Sequence, residues 1–262
     1  MSGPASWPSE QIRREVAPDL RDLRVEVLKR IDSTNSELMR RARSGPAEPI
    51  LLVAEQQTDG RGRLGRHWFS GEGAGSSLTF SIGMPLAPLD WSGLSLAVGL
   101  SIVQSLHPDL LLKWPNDVWW NERKLAGILI ETAGSGIDRY LVVGVGINIK
   151  NRDGAGLATP PAWLNELLPD LDAPSTLLRI APALVRTIKA FESQGFAQFR
   201  ASFNERDALQ GLHVALSDGT LGVARGVDGV GALQVQSNDE MKSVVSAEVS
   251  VRPVSKANLK RP

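Results

Sequence analysis

Between Thr58 and Gly75 runs a Gly- and Arg-rich stretch with neither helical nor strand periodicity over most of its length, and it holds the densest cationic chemistry in the chain. Gly60, Gly62 and Gly65 satisfy G-x-G-x-x-G after a strand, the spacing of a dinucleotide-binding turn. Context excludes that reading, because the fingerprint needs a helix opening inside the motif and RHWFSGEGAGSS cannot begin one. Arg61, Arg63 and Arg66 instead put three guanidiniums on one loop, which suits a polyanion that arrives and is then enclosed. The plainer alternative is a solvated basic loop. No G-x-x-x-x-G-K-[ST] occurs, so P-loop chemistry is excluded.

KWPND packs Lys113, an aromatic, a proline turn, Asn116 and Asp117 into five residues at the end of a strand. Such a density of polar heads is expensive unless it binds something, although an ordinary turn with local hydrogen bonds would use the same residues. Lys124 opens the very apolar strand KLAGILIE, in which Ala126 and Gly127 let another group approach the backbone. A lysine at the mouth of a buried strand is a point charge suited to joining two anions. Asn148 is the one polar side chain in the apolar run GVGINI and needs partners, either a ligand or neighbouring backbone.

The elements that must hold these groups read as follows. RVEVLKRI (24–31) alternates as a strand, and TNSELMRRARSG (34–45) is a helix with Thr34 and Glu37 spaced like a capping box. ILLVAEQ is a buried strand before the loop, and SSLTFSIGM a strand after it. Residues 91–106 form an apolar helix, and LLLKW, DVWWN, KLAGILIET and RYLVVGVGINI are strands. Residues 175–206 are helical, broken at Gly195. From 211, short β runs separated by SDGT, VDGV and SNDE announce a small antiparallel unit. The expected class is α+β: residues 1–23 as an N-terminal arm or one surface helix, a main domain over 24–207, a β domain over 211–256, and a basic tail.

With 262 residues and 42% hydrophobic content the chain can bury one large core and a small second one. It offers no stretch of about 18 apolar residues and no apolar leader, so a cytoplasmic protein with no membrane partner is expected. Without cysteine there is no disulfide or thiolate site, and His67, His107 and His213 are too scattered for zinc. Lys+Arg and Asp+Glu both number 29, so no global field draws nucleic acid.

Five segments resemble the successive motifs of bacterial biotin–protein ligases, in order and with similar spacing: STN at Ser33 to Asn35, AEQQTDGRGRLGRHWFS at Ala54 to Ser70, KWPND, KLAGILIE and GVGIN at Gly144 to Asn148. The resemblance implies a mixed-sheet catalytic domain followed by an SH3-like β domain. It implies biotin, ATP and Mg²⁺ as ligands, and as acceptor the biotin carboxyl carrier domain of acetyl-CoA or another acyl-CoA carboxylase. Relatives that also act as repressors carry a winged helix before STN. Here only 32 residues precede Ser33, so a monofunctional enzyme without DNA binding is expected, monomeric or weakly dimeric.

Residue by residue, the family pattern assigns Ser33, Thr34, Asn35, Gln57, Gly60 and Arg61 to the ureido ring of biotin. Arg61, Arg63 and Arg66 would draw in phosphates, Trp68 would close over the ligand, and Lys124 would bridge carboxylate and α-phosphate beside the Gly127 backbone. Asn116 and Asn148 would hold the adenine or phosphate side. Lys113 would orient acceptor or phosphate, and Asp117 would serve the metal or the incoming amine. Leu64 departs from the pattern, since many relatives have another arginine there, which lowers the charge of the loop. The competing readings are a lipoate or octanoate transferase of the same superfamily, a nucleic-acid-binding module using the GRGR loop, and a β-domain adaptor.

Overall fold

Alternation along buried strands divides the main sheet into an apolar face and a polar one. The computed structural model describes residues 6–45, 48–71, 73, 75–134, 139–152, 154, 159–238, 240–245 and 251–254. In chain order its elements are α1 (Ser9–Val16), β1 (Arg24–Leu28), α2 (Thr34–Ser44), β2 (Ile50–Ala54), β3 (Ser77–Leu86), α3 (Leu94–Leu106), β4 (Leu111–Lys113), β5 (Asp117–Trp120), β6 (Arg123–Ala133), β7 (Arg139–Asn148), α4 (Ala173–Gln194), α5 (Arg200–Asn204), β8 (His213–Leu216), β9 (Leu221–Val227), β10 (Leu233–Ser237), β11 (Glu240–Val244) and β12 (Val251–Pro253).

Seven strands form a mixed sheet in the order β1-β2-β3-β7-β6-β5-β4, with only β1 and β2 parallel. On β3, Leu78, Phe80, Ile82 and Met84 join the large core under α3 and α4, as Leu141, Val143, Val145 and Ile147 do on β7. Each such side chain contributes about 1.5–3 kcal/mol by leaving water. The alternate residues carry Ser77, Thr79 and Ser81 on β3 and Gly144, Gly146 and Asn148 on β7. At one end this second face is sealed by α2, with Leu38 and Met39 packed on Leu52 and Val142. At the other end it is open, and the site lies there.

The sequence boundaries hold to within a few residues, and the differences have physical causes. Helix α2 is capped by Ser33, whose Oγ accepts from Ser36 N at 3.4 Å, and not by Thr34. The Thr34 hydroxyl is engaged inward with Gln57. Helix α4 begins at Ala173 because Asp172 and Ser175 form a capping box with Pro174 in the first turn. For the N-terminal segment the structure has the helix, not a loose arm: Ile12 and Val16 of α1 are fully buried, against α4 and β1.

The C-terminal residues form a separate antiparallel sheet, β11-β10-β9-β8-β12. The segment leading into it is pinned to β4 by backbone pairing of Leu112 with Arg206 and Ala208, and the sheet's β9–β10 turn accepts from the main domain, Trp114 Nε1 donating to Gly231 O at 3.1 Å. The basic tail beyond 256 lies outside the described residues.

Candidate active site

The β1–β2 pairing continues past both strands, with Thr58 N donating to Ile31 O and Asp59 N to Asp32 O. This brings the start of α2 beside Gln57. Gln57 Oε1 accepts from Thr34 N at 2.8 Å and stands 3.1 Å from Thr34 Oγ1. Beneath them Ser81, fully buried on β3, places its Oγ 2.7 Å from Thr34 Oγ1 and 2.6 Å from Asn35 Oδ1. Asn35 fits only because position 144 is glycine, since a Cβ there would lie 2.1 Å from Asn35 Oδ1. Ser33, Thr34, Asn35 and Gln57 thus form a neutral bed of donors and acceptors.

The Arg-rich segment folds back on itself as a narrow hairpin. Gly62 N donates to Arg66 O at 2.7 Å and Trp68 N to Gly60 O at 2.8 Å. Gly60 has no room for a side chain, because a Cβ would meet Trp68 O at 2.2 Å. Leu64 occupies the exposed tip in a left-handed conformation, φ +55°. Trp68 lies over β7, where a Cβ at Gly146 would fall 2.3 Å from its ring. Its Nε1 is buried without a partner. Arg152, from the segment after β7, stacks over Trp68 at 5.7 Å and donates to Phe69 O at 3.0 Å.

The three loop arginines separate in role. Arg61 pairs with Glu131 at 3.0 Å. Arg63 is half-buried toward Asp117: burial lowers its affinity for the proton, while the Asp117 charge acts the other way. Arg66 sits within reach of both Arg63 and Lys113 as a second cation.

Opposite the loop, Lys124 Nζ stands 2.7 Å from Asp117 Oδ1. Its ammonium lies over the Gly127 backbone, 3.2 Å from where a Cβ would be. Lys113 rests over the Trp119 ring at 4.8 Å. Burial pulls its ammonium below the usual lysine range; Asp117 works against this, and Lys124, Arg66 and Arg252 of β12 reinforce it. A half-buried to exposed cluster of like charges around one carboxylate is a site short of negative charge.

The two asparagines are occupied by backbone. Asn116 Nδ2 donates to Ile128 O at 2.7 Å, and Asn148 Nδ2 donates to Ala162 O at 2.9 Å and Lys124 O at 3.3 Å. Asn148 Oδ1 accepts from Arg152. Among the described residues no three His, Cys, Asp or Glu stand together as metal donors.

All the residues to which the family pattern assigned a ligand role, except Gly60, line one cleft of about 900 Å³, and Gly60 shapes the loop above it. The cleft also engages Arg152 and Arg252, with Ser81, Glu131, Gly144 and Gly146 forming its support, none of which the sequence reading had given a role. It has a neutral end and a cationic end, joined at Lys124. Such a cleft can hold a neutral polar ring, a carboxylate and a phosphate in line.

Comparison with known proteins agrees with this geometry. Residues 27–148 match the model of the biotin/lipoate A/B protein ligase family, and residues 213–252 that of the biotin protein ligase C-terminal domain. The chain is 34% identical over 237 residues to the biotin–[acetyl-CoA-carboxylase] ligase of Paracoccus denitrificans, covering 85% of this chain and 98% of that one. It is 34% identical over 245 residues to the bifunctional ligase/repressor BirA of Escherichia coli, covering 88% and 75%. Among solved structures, the biotin protein ligase of Aquifex aeolicus in complex with biotin and ATP matches with a TM-score of 0.75 and 30% identity, over 88% of this chain and 99% of that one.

Proposed function

Because the chain belongs to the biotin protein ligase family, we propose that it activates biotin with ATP to biotinyl-5′-AMP and transfers the biotinyl group to a lysine of a biotin carboxyl carrier domain. The observation that carries this reading is the cleft in which a neutral hydrogen-bonding bed meets a cationic end at Lys124.

In the first step a biotin carboxylate oxygen attacks the α-phosphorus of ATP, the bond to the bridging oxygen breaks, and pyrophosphate leaves. Two anions must meet, so positioning and charge neutralisation do most of the work. Ser33, Thr34 and Gln57 fix the ring, with Asn35 behind them. Lys124 lies between the two anions, held in place by Asp117. Arg63, Arg66 and Lys113 take the phosphates. Asn116 and Asn148 border the adenine or phosphate side of the cleft and brace the β6 backbone at Ile128 and Lys124. In the second step the carrier amine attacks the carbonyl carbon, the bond to the phosphate oxygen breaks, and AMP leaves as the amine gives up a proton. The loop keeps water from the mixed anhydride meanwhile.

Among the described residues the donor set does not fit a resident metal, since Asp117, the carboxylate expected for it, is engaged by Lys124. Magnesium therefore belongs to the nucleotide substrate, and no step runs through a protein-held ion. Among the described residues no helix is long and apolar enough to cross a membrane. We propose a cytoplasmic location.

The test is mass spectrometry of a carrier domain after incubation with the protein, biotin and Mg-ATP, with lipoate in a parallel tube. One biotinyl mass on one lysine is the expected result. Modification by lipoate alone would move the chain to the sister activity, and none by either would overturn both.

A further inference from the structure

Behind the neutral bed stands a carboxylate that the mechanism above does not use. Glu131, at the end of KLAGILIE, has a side chain only 20% exposed. Its Oε2 accepts from Asn35 Nδ2 at 2.9 Å, and the carboxylate takes Arg61 in a forked pair, at 3.0 Å to Oε1 and 3.3 Å to Oε2. A carboxylate largely shielded from water is favoured by both partners.

What Glu131 dictates follows from hydrogen bookkeeping. An ionised carboxylate can only accept, so Asn35 must turn its amide nitrogen toward it. Asn35 Oδ1 is then an acceptor and takes the single hydrogen of Ser81, 2.6 Å away. Ser81 Oγ, 2.7 Å from Thr34 Oγ1, is left to accept from Thr34. The Thr34 hydrogen is spent on Ser81 or on Gln57 Oε1, and Thr34 Oγ1 faces a ligand as an acceptor, which a ureido N–H requires. Glu131, together with the Leu129 carbonyl that accepts from the same Asn35 Nδ2 at 3.3 Å, sets the donor and acceptor sense of the bed, and of these two acceptors it is Glu131 that also holds the first arginine of the loop.

We propose that Glu131 is a positioning residue that couples closure of the loop, through Arg61, to the hydrogen-bond polarity with which the bed reads its ligand ring. This rests on biotin being the ligand of that bed. When Arg61 is latched, Asn35 is locked and the ring is read in one sense; when the latch opens, both the lid and the selectivity beneath it relax together.

The test is a double-mutant cycle on the full chain, read by calorimetric titration with biotin, octanoate and ATP. Glu131→Gln can donate as well as accept, so biotin binding should weaken roughly tenfold and the preference for biotin over octanoate should narrow, with ATP binding unchanged. Arg61→Gln should weaken biotin roughly three- to tenfold, and the double variant should be no weaker than Glu131→Gln alone. Glu131→Asp keeps an acceptor-only group but shortens the reach to Arg61, and should behave like Arg61→Gln; if Glu131→Gln does not fold, the aspartate variant closes the cycle. Effects that multiply, an unchanged biotin affinity, or an equal loss of ATP binding would overturn the proposal. Failure of the parent protein itself to bind biotin would instead overturn the functional reading, and this proposal with it.

Discussion

Lys124 Nζ and Asp117 Oδ1 are 2.7 Å apart across the β5–β6 hairpin, beside a register shift at Val118 and Trp119. The irregularity aims both side chains into the cleft although they lie on neighbouring strands. Lys124→Gln removes the charge placed between two anions and should lower the rate of adenylate formation by roughly 10²–10³-fold. Asp117→Asn leaves the ammonium present but unanchored and should cost less. Pyrophosphate exchange measures both, and a change of less than a few-fold for Lys124→Gln would remove it from the chemistry.

Two glycines of β7 support different ends of the ligand. A methyl at Gly144 collides with Asn35, and one at Gly146 collides with the Trp68 ring. Gly144→Ala should therefore raise the KM for biotin by roughly tenfold while leaving that for ATP near its parent value, and Gly146→Ala should do the reverse and speed loss of adenylate. Steady-state kinetics with each substrate varied in turn separates them; equal shifts in both would mean only general damage to the strand.

Arg63, not Arg61, is the loop arginine that faces Asp117. Arg63→Gly should loosen the loop over the mixed anhydride, so that biotinyl-5′-AMP escapes and acylates lysines indiscriminately. Streptavidin blots of a bystander protein, incubated with enzyme, biotin and Mg-ATP but no carrier, should darken several-fold. A clean blot would mean that retention lies elsewhere in the loop.

Asp207, at the junction of the two domains, is 8% exposed, and its Oδ2 has no partner while Oδ1 accepts from Leu209 N. Burial pushes this carboxyl up to about 6 from 3.8. The unfolded chain releases the proton first, so stability falls as pH rises from about 4 to 6 and stays low above that, by an amount on the order of 2–3 kcal/mol. Asp207→Asn should raise stability at pH 7.5 by about 1–2 kcal/mol and give no gain at pH 4. Urea unfolding at the two pH values decides it, and a pH-independent difference would rule out the ionisation as its cause.

Much of this was legible because strand alternation and turn chemistry are local. KWPND and KLAGILIE announced Lys113, Asp117 and Lys124 by placing charge against apolar runs, and the loop declared itself by its lack of period. The polar floor was legible in principle: SSLTFSIGM alternates small hydroxyl residues with large apolar ones, the pattern of a strand with two different faces, but reading it only as a strand hid Ser81. Gly144 and Gly146 matter for what rests on them, and no local signal says what that will be. Asn116, in the KWPND turn, and Asn148, at the end of an apolar strand, both line the cleft, but their amide nitrogens also bond neighbouring carbonyls, which no local signal in the sequence announces. Arg61 and Glu131 are 70 residues apart, and their pairing arises only from the fold.

Trp114 is the second residue of KWPND, yet its indole is 1% exposed and donates to Gly231 in a turn of the other domain. That turn, VDGVG, looks like any surface hairpin. Gly231 has φ +82°, and a Cβ there would strike Gly93 Cα at 2.9 Å and Leu96 Cδ1 at 3.0 Å. An alternative residue must shift the turn, and the indole bonded to it is the immediate neighbour of Lys113. A scan of tolerated substitutions should thus find a sharp minimum at a glycine that touches no substrate, because the phosphate end of the cleft is trimmed from outside the domain that contains it.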